Sequence, residues 1–78
     1  MDIKRRFGLA VKRIREQNGW SQEEIASRLK KADQAYISRV EAGQVNLSLE
    51  TIEALAAALH VDLADLFAKP PVSTRRQQ

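Results

Sequence analysis

Seventy-eight residues, 44% of them hydrophobic, are enough for one domain with a thin core, and a chain without cysteine has neither a disulfide framework nor a thiolate metal site to reinforce it. No apolar run approaches the about 20 residues that span a bilayer, and the arginine-studded stretch after the basic residues 1–6 is no signal peptide, so a cytoplasmic chain with no membrane partner is expected. The net charge of +3 is unevenly laid out: residues 1–20 hold six basic against two acidic side chains, residues 21–43 four of each, and residues 44–69 only Lys69 against Glu50, Glu53, Asp62 and Asp65. One electropositive end suits a face laid on a polyanion, although an ordinary solvated surface accounts for the total equally well.

The pattern is helical throughout, which predicts an all-α fold. A first helix is expected over Ile3–Gln17, capped by Asp2, with Ile3, Phe7, Ala10, Val11 and Ile14 in one stripe and Asn18-Gly19 as its stop. Leu9 lies outside that stripe, either exposed or against a partner. Trp20 reads as a core plug. Ser21-Gln22-Glu23-Glu24 is a capping box that opens a short second helix with Ile25, Ala26 and Leu29 inward. Lys30-Lys31-Ala32 breaks it, and Asp33 caps a third helix over about 34–42 that buries Ile37 and Val40 and ends at Gly43. After the loop Gln44-Val45-Asn46-Leu47, Ser48 caps a fourth helix with Leu49, Ile52, Leu55, Ala56 and Leu59 inward. His60-Val61 interrupts it, Asp62 caps again, and Leu63, Leu66 and Phe67 form a short fifth helix stopped by Pro70-Pro71. Residues 1–69 thus read as one domain and 70–78 as a disordered C-terminal tail.

Two short helices joined by a tight break inside a five-helix bundle have the setting of a helix-turn-helix, whose second helix projects into a major groove about 12 Å wide while the first lies across it. Many small bundles contain such a pair, so spacing alone leaves the role open. The residue types narrow it. Gln22 starts the second helix, where a side-chain amide and helix N–H groups share a phosphate oxygen. Gln34, Ala35, Ser38 and Arg39 line the outward face of the third: glutamine bridges adenine N6 and N7, arginine forks onto guanine O6 and N7, and an alanine methyl packs on that of thymine.

Ser21-Gln22-Glu23-Glu24-Ile25-Ala26, then Tyr36-Ile37-Ser38-Arg39-Val40-Glu41-Ala42-Gly43, the leucine pattern of 49–59 and Leu63 to Phe67 together resemble the Cro/repressor-type (XRE) helix-turn-helix family, over roughly 3–68. Lys4-Arg5-Arg6-Phe7-Gly8 and Asn46-Leu47-Ser48-Leu49 are most similar to its restriction–modification controller proteins. The resemblance implies a lambda-repressor-like domain that binds double-stranded DNA as a homodimer and regulates transcription. It implies base contacts from Gln34, Ala35 and Arg39, backbone contacts from Gln22, Tyr36, Ser38 and Asn46, and a structural pair of Arg15 with Glu41. Leu63, Leu66 and Phe67 supply more apolar surface than one protomer covers and are the expected dimer interface. The sequence departs from the family in its turn: Leu29-Lys30-Lys31-Ala32-Asp33 lacks the usual glycine and is one residue longer, which leaves Lys30 and Lys31 available for backbone contacts of their own. Val45 stands where some controllers have arginine.

The rival readings are a DNA-binding antitoxin, for which only the tail after Lys69 could wrap a toxin, and a protein-interaction bundle indifferent to DNA. An enzyme is not expected: His60 is the single histidine and assembles no metal triad, the glutamates sit at surface spacings, and no cofactor is implied. RNA polymerase is the further partner a promoter-bound regulator would touch.

Overall fold

The computed structural model describes residues 2–68, which form five helices: α1 Ile3–Gln17, α2 Gln22–Ser27, α3 Gln34–Glu41, α4 Leu49–Ala58 and α5 Leu63–Phe67. The tail expected at 70–78 lies outside the described residues. Each of the first four helices starts where a short polar side chain satisfies an amide that the first turn leaves without a partner. Asp2 accepts from the Lys4 amide at 3.2 Å, Asp33 from Tyr36 at 2.8 Å and Ser48 from Thr51 at 3.1 Å. At α2 the arrangement is reciprocal: the Glu24 amide donates to Ser21 Oγ at 3.0 Å and the Ser21 amide to Glu24 Oε1 at 2.9 Å. The Asp62 amide likewise donates to Asp65 Oδ2 at 3.0 Å and sets the start of α5.

Three helices end in the same paired hydrogen bonds, with the third residue past the helix bonding back across six residues: Trp20 to Arg15 O, Gln44 to Arg39 O and Val61 to Ala56 O. The residue before it must be left-handed, and Gly19 and Gly43 fill that place in α1 and α3. In α4 it is His60, at φ 59°.

The centre of the core is aliphatic, built from Val11, Ile25, Ile37, Val40, Leu55, Leu59 and Leu66. Three sequence expectations fail here. Ile3 and Leu49 are 56% and 81% exposed, because each opens its helix beyond the part that another element covers. Trp20 is not a plug but a half-buried lid. The Arg28 guanidinium stacks 4.4 Å from its ring centroid, His60 meets it edge-on at 5.3 Å, and Arg28 Nη1 donates to Ala58 O at 2.7 Å. Trp20 therefore ties the ends of α1, α2 and α4 together at the surface.

One buried residue escapes a reading by hydrophobicity. Gly8 sits inside α1 where a Cβ would stand 2.3 Å from Val40 O and 2.7 Å from Glu41 O, so α1 crosses α3 at backbone contact. α5 docks on the start of α1: the rings of Phe7 and Phe67 lie 5.4 Å apart and Arg6 Nη2 donates to Phe67 O at 2.8 Å.

Candidate nucleic-acid interface

α3 is two-sided. Ile37, Val40 and Glu41 face the interior, while Gln34, Ala35, Ser38 and Arg39 are exposed and Tyr36 is half-buried between them. Apolar residues at 37 and 40 are one turn apart, so they turn residues 34, 35, 38 and 39 outward. The helix has eight residues, about 12 Å of axis, and its exposed flank carries Gln34, Ser38 and Arg39 with the small Ala35 among them.

Beneath α3 lies a buried ion pair. Arg15 donates from Nε to Glu41 Oε2 at 2.6 Å and from Nη2 to Glu41 Oε1 at 3.0 Å, and its Nη1 reaches Trp20 O at 2.9 Å. The Arg15 and Glu41 side chains are only 11% and 5% exposed. The hydrogen bonds from Glu41 raise the Arg15 pKa above its ordinary value and outweigh the opposing effect of burial. A cation raised in this way contributes its full stability below its unfolded pKa and loses it only in strong alkali, so neutral pH leaves the pair closed. The pair joins α1 to the C-terminal turn of α3.

Gln22 is drawn into the same network. Its Nε2 donates to Glu41 Oε1 at 2.9 Å, and its Oε1 accepts from Gln34 Nε2. A side chain expected to hold phosphate is therefore half-buried, with one Nε2 hydrogen left for an outside acceptor. The contact also braces Gln34. What Gln34 retains is its own Oε1 and second Nε2 hydrogen, the acceptor and donor that an adenine edge requires.

The turn between α2 and α3 is made without a left-handed residue. Among the described residues positive φ occurs only at Gly19, Gly43 and His60. Lys30 and Lys31 are exposed in this turn and share a shallow concavity with Asp33, Tyr36 and Arg39. At the other end of α3, Asn46 is exposed in the loop and shares a second concavity with Lys4. Val45 is half-buried against the core.

The expected association face needs one correction. Leu66 is fully buried in its own protomer because it points from α5 into the aliphatic core, so it cannot meet a second chain. Leu63 and Phe67 are 42% and 39% exposed and line a shallow groove with Leu49, Ile52 and Glu53. Leu49, expected in the core, belongs with this surface instead.

With that geometry in place, a family model described as Helix-turn-helix matches residues 11–66, from within α1 to α5. The chain belongs to the helix-turn-helix family. It is similar to the control protein C.MunI from Mycoplasma sp., with 40% identity over 86% of this chain and 90% of that protein. The solved controller protein C.AhdI from Aeromonas hydrophila superposes with a TM-score of 0.74 at 38% identity, covering 81% of this chain and 90% of that one. The controller C.Esp1396I, solved as a tetramer in complex with its natural 35 base-pair operator, gives a TM-score of 0.74 at 28% identity over 86% of this chain and 87% of its own. Within this helix-turn-helix, α2 and α3 are the two paired helices, and the family is one of DNA-binding regulators. No helix among the described residues is long and apolar enough to cross a membrane. No group of three His, Cys, Asp or Glu among them is placed to hold a metal ion.

Proposed function

We propose that this transcription regulator of the restriction–modification controller type works in the cytoplasm and reads a near-palindromic operator as a homodimer. α3 enters the major groove with Gln34, Ala35 and Arg39 on base edges. Ser38, Tyr36, Asn46 and the remaining Gln22 hydrogen hold backbone phosphates. The observation that carries this reading is α3 itself, whose polar flank is open to solvent while its other face is locked to α1 through Arg15 and Glu41. A helix held that rigidly presents base-reading groups already in position.

Leu49, Leu63 and Phe67 form the contact between two copies. Pairing through this face sets the two α3 helices about 34 Å apart, one turn of duplex. Where the operator lies then decides the sign of regulation. A site over promoter elements occludes RNA polymerase, and a site just upstream lets the protein touch it. The antitoxin alternative has no observation in its favour, since the segment it needs lies outside the described residues and the relatives are named as controllers or regulators.

Selection of bound duplexes from a random pool, followed by sequencing, tests the proposal. Two inverted half-sites with centres about 10 base pairs apart are expected. A pool that stays random after selection overturns the proposal.

A further inference from the structure

We infer that α3 is bracketed by two basic pairs, Lys30 with Lys31 at its start and Lys4 with Arg5 at its end, which grip backbone phosphates on opposite flanks of the same groove. The four residues come from distant parts of the chain, and the fold brings them to the two ends of one helix. Lys30 and Lys31 stand in the turn that precedes α3, beside Tyr36 and Arg39. At the far end, Gly43 closes α3 so tightly on α1 that a Cβ there would lie 2.8 Å from Arg5 Cα, and Lys4 lines the adjoining concavity with Asn46. All four cations are exposed, and none has a carboxylate within 4.0 Å among the described residues.

Length and charge both favour the bracket. An eight-residue helix is about 12 Å long, on the scale of the major-groove width of about 12 Å, so groups at its two ends stand far enough apart to reach different phosphates when its flank faces the bases. The segment 21–43 carries Arg28, Lys30, Lys31 and Arg39 against Glu23, Glu24, Asp33 and Glu41. Glu41 is already paired with Arg15, so without the two turn lysines Glu23, Glu24 and Asp33 would outnumber Arg28 and Arg39, and the segment would offer a polyanion no net attraction. This bracket presupposes that α3 binds duplex DNA as proposed above.

The test uses the full chain and a duplex obtained by selection, with Lys30→Gln/Lys31→Gln and Lys4→Gln/Arg5→Gln as paired variants. Each pair should reduce the slope of log K against log salt by about 0.9 for every phosphate that is no longer neutralised, equally on selected and scrambled duplexes. Lys30→Arg/Lys31→Arg should restore the first slope. Phosphate ethylation supplies the position: interference should vanish on one flank of the half-site for the first pair and on the opposite flank for the second. An unchanged slope for either pair, or interference that vanishes at the same phosphates for both, overturns the bracket while duplex binding by the parent chain stands. A parent chain with no preference among duplexes overturns both.

Discussion

α3 and the α4–α5 face both meet solvent, with opposite chemistry. α3 buries Ile37 and Val40 and leaves Gln34, Ser38 and Arg39 outside, its inner side fastened by the Arg15–Glu41 pair and by Gln22. α4 and α5 leave the apolar side chains of Leu49, Leu63 and Phe67 outside, and Arg6 donates to the Phe67 carbonyl beside them. The first region is complete within one protomer and offers hydrogen-bonding groups in fixed places. The second keeps apolar surface exposed, at a cost of about 25 cal/mol for each Å² left in water. Under the proposed function, the first region reads the duplex and the second is covered by another copy of the chain.

That contrast can be broken at several points. The largest effect is expected from Arg15→Ala, which strands the Glu41 carboxylate in the interior with Gln22 as its only side-chain donor. A loss of about 3–5 kcal/mol in urea unfolding is expected, with the base preference of the folded fraction intact. A loss under about 1 kcal/mol would mean that the pair does not fasten α3.

Leu66 and Leu63, three residues apart on α5, separate core from surface. Leu66→Ala should cost about 2–5 kcal/mol of protomer stability, because it opens a cavity among fully buried aliphatics. Leu63→Lys should leave protomer stability within about 0.5 kcal/mol and instead shift sedimentation toward monomer. A Leu63→Lys protein that still sediments as a dimer places the contact elsewhere. Gly8→Ala should cost about 3 kcal/mol, since its new methyl meets backbone carbonyls that cannot step aside. Thermal melting that shows an unchanged midpoint would contradict the close crossing of α1 over α3.

On the outer flank the expected effect falls on binding and not on stability. Arg39→Ala should cost about 1–3 kcal/mol on the selected duplex, relax preference at one base pair and leave the melting temperature alone. An equal loss on random duplexes would make Arg39 a phosphate contact.

The starts of all five helices were legible in the residue order, because caps are local events, but α2 ends at Ser27, short of the expected break after Leu29. Asp2, Ser21, Asp33 and Ser48 each satisfy an amide two or three residues onward, and Gly19 and Gly43 take a left-handed turn that needs no distant partner. Hydrophobic spacing also marked the outer flank of α3, since burying Ile37 and Val40 leaves it no other way to face.

The rest depended on what stands opposite, which no local pattern records. Helical spacing places Leu63, Leu66 and Phe67 on one side of α5, yet of the three only Leu66 is buried, so a side chain expected to meet a partner is the one its own protomer conceals. Ile3 and Leu49 have the right phase and no cover. Gln22 finds Glu41 nineteen residues away, and Gly8 finds the carbonyls of α3. Burial and long-range hydrogen bonding are settled by how the helices cross, so only the assembled bundle decides which apolar groups stay wet and which polar groups are already engaged.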